Sequence, residues 1–166
     1  FDVSGTATAA TVANRRVFYN GGSGGATGFG ASTNFSATAG NPPATAIDSK
    51  IALLPGQNSS FANYTNVSFG LNGIIVDIDN PTGTLTAADF TFAKGETLAQ
   101  SGFVAFTPAE LSTTIVPVVT QYVGGGVGGS TRAKITFNNS SLKNTWVKVT
   151  VLANANTGLA ADDVFY

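Results

Sequence analysis

Residues 60–81, SFANYTNVSFGLNGIIVDIDNP, hold the densest run of β-branched and aromatic residues in the chain. In an extended strand successive side chains point to opposite faces, so a period of two separates a buried face from a solvated one. The alternating residues are Ile74, Val76 and Ile78 on one face, and Ile75, Asp77 and Asp79 on the other. This pattern predicts a long central strand with one face buried and both aspartates on the solvated face.

Short β-like segments recur along the rest of the chain between clusters of Gly, Pro and Asn. There are about eight to ten such segments, among them residues 50–54 and 60–64, and this spacing is typical of sandwiches. Helical patterns are limited to about one turn, at residues 86–89 and 107–111, where a Thr precedes an acid by three positions. The sequence therefore predicts an all-β protein of one domain, an antiparallel two-sheet β-sandwich of the jelly-roll or immunoglobulin-like kind.

The ends of the chain have a different character from its middle. Residues 1–14 are small and weakly patterned, which predicts an N-terminal arm or edge strand before a sandwich over residues 15–166. The pattern of residues 112–123 predicts a strand, and Pro117 within it favours an edge position or a bulge. The last residues echo those at 17–19, so the first and last strands are expected to pair. The chain has no initiator Met and no signal peptide, and we expect it to be processed or excised.

Composition narrows the possible functions. The chain has no cysteine and no histidine, and charged residues make up only 10% of it. Disulfides, the usual zinc ligands and an imidazole base are therefore missing. A net charge of −1 disfavours nucleic acid as a partner, and no apolar run is long enough for a membrane-spanning helix. This composition is common among exported bacterial β-proteins and predicts an extracellular or cell-surface location.

One pair of acids has the spacing of glycosidase carboxylates. Asp77 and Asp79, two positions apart on a strand, would stand about 6.5–7 Å from each other. Two acids on an exposed strand are usually its solvated side, and an enzyme site needs further shaped and perturbed groups. We therefore predict that the protein is not an enzyme and has no catalytic residues.

Several blocks of the sequence are similar to a known domain. They are RRVFYN, AIDSKIALLPGQNSSFANYTNVSFGLNGIIVDID, TAADFTF, GGGVGGSTR and WVKVTVLANANTGLAADDVFY. Together, over about residues 15–166, they resemble a recurrent domain of large secreted bacterial proteins, of planctomycetes especially, often adjacent to dockerin-like or surface-anchoring segments. The resemblance implies a non-catalytic extracellular module. In the family pattern, a segment that contains Asp follows VFYN, and an Asp precedes the Arg of the glycine loop. This chain has Gly21 to Gly25 at the first of these places and Thr131 at the second.

Calcium is the one ion for which the chain offers candidate ligands, because it accepts carboxylate, amide and backbone oxygens from loops. The candidates are Asp48, Asp79 with Asn80, and Asp162 with Asp163. No dense Asp-x-Asp-x-Asp-Gly run is present, and a melting temperature that does not respond to calcium would count against the site. No other cofactor is expected.

Trp146 is the residue whose position most clearly suggests ligand binding. By strand alternation it shares a polar face with Lys148 and Thr150, opposite three valines. An exposed Trp beside polar groups suits a sugar, because its flat apolar ring matches the C–H face of a sugar ring. Lys148 on the same face is a further candidate for ligand binding, and Tyr64 and Tyr122 are weaker partners in the same role. The alternative interpretation is that a loop or a second layer covers Trp146, as happens with most large aromatic residues.

Two functions remain open at this stage. The first is a structural or adhesive building block, because long uncharged strands pack edge to edge and an N-terminal arm could complete a neighbour's sheet. Its partners would be copies of itself or neighbouring domains of a surface assembly. The second is a carbohydrate-binding module that recognises a polysaccharide.

Overall fold

The computed structural model describes residues 8–19, 40–42, 44–65, 67, 70–96 and 102–166. Within them the chain forms eight strands in two four-stranded sheets, with every neighbouring pair antiparallel. The strands are β1 (Thr11–Val17), β2 (Gly73–Asp79), β3 (Phe90–Gly95), β4 (Val104–Ala105), β5 (Val118–Tyr122), β6 (Thr131–Thr136), β7 (Trp146–Val151) and β8 (Asp163–Phe165). The first sheet has the order β1-β2-β6-β5 and the second β4-β3-β7-β8. The predicted all-β, antiparallel two-sheet sandwich is confirmed.

The core lies between the two sheets and consists of the apolar faces that the alternation predicts. From the first sheet come Ile74, Val76, Ile78, Ala133 and Ile135, and from the second Phe90, Phe92, Val149 and Val151. Phe137, which follows β6, meets Phe92 edge to face with ring centroids 5.4 Å apart, and so joins the sheets. Each buried Val, Ile or Phe side chain contributes roughly 1.5–3 kcal/mol relative to exposure, which makes this interface the main source of stability.

The prediction of a solvated outer face on β2 is wrong. Ile75 and Asp77 are completely buried, although they lie opposite the core face. The segment at Gly40 and Asn41 lies over this side of the first sheet, because it accepts hydrogen bonds from Lys134 Nζ at 3.1 Å and Arg132 Nη1 at 3.1 Å. Both faces of the central strand β2 are therefore covered by other parts of the protein.

Asp77 is buried as one half of an ion pair. Its carboxylate accepts hydrogen bonds from Arg132 Nε at 2.7 Å and Nη2 at 3.0 Å, and further ones from Asn14 Nδ2 and the Val127 backbone N–H. A Cβ atom at Gly126 would lie 2.8 Å from Asp77 Cγ, so the glycine loop can close over the carboxylate only without a side chain there. Burial alone would raise the pKa of Asp77, but the bonds from Arg132 and the other donors lower it below 3.8.

Two predicted strands have other structures. Residues 60–64 contain the 3₁₀ turn Phe61–Asn63, because the Asn63 side chain accepts a hydrogen bond from the Ser60 backbone N–H and Ser60 Oγ accepts one from the Ala62 N–H. These local bonds compete with strand pairing. Residues 50–54 lie outside the eight strands, but Leu53 exchanges two backbone hydrogen bonds of 2.9 Å with Tyr166.

The helical turns begin where the sequence predicts, but the second runs further. Asp89 and Glu110 each accept bonds from the backbone N–H of the preceding Thr86 or Thr107. Lys94 and the Thr107 cap lower the pKa of Glu110 to about 2. Helical backbone continues to the end of Glu110–Thr114, into the segment predicted as strand. Strand β5 starts only after Pro117 and is an edge strand, as the proline indicates.

The first and last strands do not pair with each other, and that prediction is wrong. Strand β1 crosses the predicted boundary between residues 14 and 15 and is the edge of the first sheet, whereas β8 is an edge of the second. A bulge between Val12 and Asn14 turns the strand so that Arg15 stands opposite Val76, on the core side. Arg15 therefore reaches across and forms a bidentate ion pair with Asp163. Residues 1–7 of the predicted arm lie outside the described residues.

In the part of the chain that the structure describes, no helix is long and apolar enough to cross a membrane.

Candidate ligand-binding cleft

A cleft of about 770 Å³ opens at one side of the sandwich. Its volume lies within the range of small-ligand sites. The floor reaches the core through Ile74 and Val149, one from each sheet. Much of the wall comes from residues 16–17 of β1, residues 50–52, residues 63–65 and 67, and residues 142–147.

One wall is built by the turn that replaces the predicted strand. The Asn63 side chain donates to the Ile51 carbonyl at 3.1 Å, and the Ile51 N–H donates to the Ala62 carbonyl at 2.9 Å. These two bonds hold the turn against residues 50–52, which are in turn held by the bonds between Leu53 and Tyr166. Tyr64 follows the turn directly and has extended backbone. It lines the cleft, and 45% of its surface is exposed.

Trp146 stands at the first position of β7, where its strand neighbour is Gly95 of β3. The Thr145 hydroxyl donates to the Gly95 carbonyl at 3.1 Å, which fixes the start of the strand. The strand alternates between half-buried and buried residues, so the predicted division between Trp146 and the three valines is present. Trp146 is half-buried and lines the cleft, and neither a fully exposed nor a fully covered ring is observed.

The structure brings Trp146 and Tyr64 together. Their ring centroids are 6.5 Å apart with an interplanar angle of 74°, and Phe61 meets Tyr64 at 5.1 Å and 79°. Both contacts have the edge-to-face geometry that aromatic pairs favour. Phe61 is 66% exposed, so the row of three rings runs from the cleft out to solvent. We call Phe61, Tyr64 and Trp146 the aromatic row.

Basic side chains collect around this row. The cleft is lined by Arg16, Lys50 and Lys143, against a single acid, Glu96. Lys50 Nζ lies 4.1 Å from the centroid of the Phe61 ring and donates to the Phe61 carbonyl at 2.8 Å. That position combines a cation–π contact with a hydrogen bond and fixes the ammonium beside the aromatic row.

The other two predicted ligand-binding residues lie outside the cleft. Lys148 is half-buried two positions along β7 and does not line the cleft. Tyr122 lies on β5 of the first sheet, with Lys134 Nζ 5.5 Å from its ring centroid. Sequence alternation cannot tell that Tyr122 and Trp146 belong to different sheets.

The candidate calcium ligands occupy separate places. The buried Asp48 accepts a hydrogen bond from the Tyr19 hydroxyl, and burial together with this carboxylate raises the pKa of Tyr19 above its usual 10. Asp163 is held by Arg15, and Asp162 accepts the Ala153 N–H at 2.7 Å. Asp79 ends β2 and Asn80 follows it with φ of 49°. Among the described residues no three acids gather in a group that could hold a metal, and calcium binding stays a prediction.

Sequence reasoning missed Lys50, Arg16 and Phe61 as parts of the site. The signal for Phe61 is the spacing of Ser60 and Asn63, which matches a capped turn and which we interpreted as a strand. No comparable signal exists for Arg16 and Lys50, because their approach depends on how residues 50–54 dock beside β1. Arg16 Nη1 donates to the Lys50 carbonyl at 3.2 Å, a contact across 34 positions.

Within the described residues the chain is a two-sheet β-sandwich with a cleft that aromatic and basic side chains line. Comparison with protein-family models, with curated proteins and with solved structures finds no match to this chain.

Proposed function

We propose that this protein is a non-catalytic, extracellular β-sandwich module of a bacterial surface or secreted protein, in which it serves as a structural and adhesive building block. The observation that carries the proposal is the open edge of β5. Within the described residues β5 pairs only with β6, and Val118 on this strand and Val123 directly after it are 52% and 82% exposed. Unpaired backbone groups beside exposed valines form a template for a further strand.

The other sheet edges are less available. The edge of β1 is tied to the second sheet by Arg15 and Asp163, and residue 53 hydrogen-bonds to Tyr166 directly after β8. Strand β4 is only two residues long. The edge of β5 is therefore the one at which a copy of the chain or a neighbouring domain can best extend a sheet, by the strand addition common in surface assemblies.

A charge on this edge is expected to block assembly. We expect the unmodified chain to form concentration-dependent oligomers, and Val118→Lys to shift them to monomers, because a lysine on an edge strand opposes pairing. Val104→Lys is the matched control, since Val104 is 64% exposed on the two-residue strand β4. Light scattering and electron microscopy give the size and shape of the particles. A chain that is monomeric at every concentration would contradict the proposal.

The aromatic row supports a second candidate function, binding of a polysaccharide. Trp146 and Tyr64 come from segments about 80 positions apart and converge on a cleft with polar groups at its walls. A pair of half-exposed rings offers apolar surface to sugar C–H faces, while amide and hydroxyl groups such as those of Asn63, Asn144 and Thr145 suit sugar hydroxyls.

Removal of the Trp146 ring should weaken this binding. We expect Trp146→Ala to lower affinity for a bound polysaccharide at least about tenfold, as for a central aromatic anchor. Tyr122→Ala removes an aromatic ring outside the cleft and should leave affinity unchanged. A glycan array followed by polysaccharide pull-down measures both. Equal loss in the two variants, or no loss in either, would exclude the cleft as the binding site.

A further inference from the structure

The distribution of charge in the cleft differs from that of the whole chain. The chain carries eight basic and nine acidic residues, but the cleft is lined by three of the basic ones and one of the acidic ones. A chain with a net charge of −1 thus presents a cleft with a net charge of +2 from its side chains. Basic residues are scarce here, so their concentration at one site requires an explanation.

Three of the five basic residues outside the cleft are paired with a carboxylate. Arg15, Lys94 and Arg132 each form an ion pair with a carboxylate. Within the described residues Arg16, Lys50 and Lys143 form none, and the contacts of the first two are with backbone carbonyls and a ring. An ammonium has three donors and a guanidinium five, so both keep donors that an anionic ligand can use.

The aromatic row and the cations lie at the same place. Lys50 is in direct contact with Phe61, which is in contact with Tyr64, which is in contact with Trp146. A ligand that stacks on these rings therefore brings its substituents beside Lys50. A ring with an apolar face and a negative group at its edge satisfies both features, and an uncharged sugar satisfies only the first.

We propose that the cleft binds an acidic polysaccharide whose sugars carry carboxylates, that is, a polymer of uronic acids. This inference rests on the second function proposed above and names the class of sugar. Such a polymer carries one carboxylate on each sugar, and the cleft has three separate cations that can each pair with a carboxylate. The Arg16 guanidinium can bind a carboxylate with two parallel hydrogen bonds. Glu96, which also lines the cleft, disfavours polymers with several sulfates per sugar, because it would repel the additional charge.

The test uses the whole chain and three polymers in affinity gel electrophoresis: polygalacturonate, neutral dextran and dextran sulfate. We expect the chain to bind polygalacturonate most tightly and the affinity to fall as salt rises, since exposed charges are screened. Lys143→Gln should weaken polygalacturonate binding about tenfold and leave dextran binding unchanged. Lys50→Gln should do the same, and Lys143→Gln keeps the test valid if the Lys50 variant disturbs the turn at Phe61.

The control variant is Lys148→Gln, which removes the same charge from β7 outside the cleft and should change affinity less than about twofold. Melting curves confirm that each variant is folded. Equal binding of dextran and polygalacturonate, without loss in Lys143→Gln, would overturn the uronate inference and leave polysaccharide binding standing. Tighter binding of dextran sulfate would overturn it as well. Failure to bind any of the polymers or a glycan array would remove both proposals.

Discussion

Replacement of Asp77 by alanine is expected to lower the free energy of unfolding by roughly 3–5 kcal/mol. Asp77 is fully buried, and its bidentate bond to Arg132 neutralises a guanidinium that is itself only 7% exposed. Without the carboxylate, a buried positive charge keeps only the Asn41 amide oxygen as a described partner. Such an uncompensated charge costs far more than the pair contributes. Urea denaturation followed by circular dichroism measures the change.

Asp79→Ala is the control for this experiment. Asp79 lies two positions further along the same strand and is half-buried at its end. We expect this substitution to change the free energy of unfolding by less than about 0.5 kcal/mol, as is usual away from the core and from buried ion pairs. Joint replacement of Asp77 by leucine and Arg132 by methionine should recover most of the loss, since no charge is then left buried. Equal effects of Asp77→Ala and Asp79→Ala would show that the ion pair is not a structural centre.

Asp89→Ala is the substitution with the second largest expected effect, a loss of about 3 kcal/mol. The Asp89 carboxylate accepts hydrogen bonds from the backbone and hydroxyl of Thr86, and from the side-chain amides of Asn154 at 2.9 Å and Asn156 at 3.1 Å. The side-chain oxygen of Asn154 in turn accepts hydrogen bonds from the backbone N–H groups of Asn156 and Thr157. One buried acid thus joins the turn before β3 to the loop after β7.

The pH dependence of the free energy of unfolding provides a second test of the role of Asp89. Burial alone would raise the pKa of Asp89, but the bonds from Thr86, Asn154 and Asn156 lower it below its usual 3.8. A lowered folded-state pKa stabilises the protein at pH values above 3.8, and this contribution is lost as the pH falls through the folded-state value. We therefore expect Asp89→Ala to lose less stability than the unmodified chain between about pH 5 and pH 2.

Asp162→Ala is the matched control, because Asp162 is exposed and accepts one backbone hydrogen bond. It should cost about 1 kcal/mol or less. A melting temperature for Asp89→Ala within the error of the Asp162 variant would contradict the role of Asp89 as a junction between the two loops.

The parts of the fold that follow from local pattern could be predicted, and those that follow from tertiary contact could not. The alternation in β2 and β7 gave the core faces, and Pro117 gave the edge position of β5. The burial of Asp77 had no signal in its own strand, because the arginine that stabilises it lies 55 positions away. The outer layer at Gly40 and Asn41 likewise depends on contacts across more than 90 positions.

The candidate site shows the same division. The sequence singles out Trp146, because a large aromatic residue on the polar face of a predicted strand is conspicuous, and it offers Tyr64 as a weaker partner. Their convergence was not predicted, since it depends on the two bonds that dock the turn at Phe61 against Ile51. The positive charge of the cleft arises only when three separate segments meet.

The ion pair between Arg15 and Asp163 joins residues 148 positions apart. Among the described residues no tight two-residue hairpin turn joins two strands, and β1 pairs with β2 across about 55 intervening residues. Closing such long loops costs conformational entropy before the contacts can repay it, and sandwiches of this topology fold in roughly milliseconds to seconds. During synthesis Arg15 can therefore form this ion pair only after residue 163, which lies 148 positions later in the chain, has emerged from the ribosome.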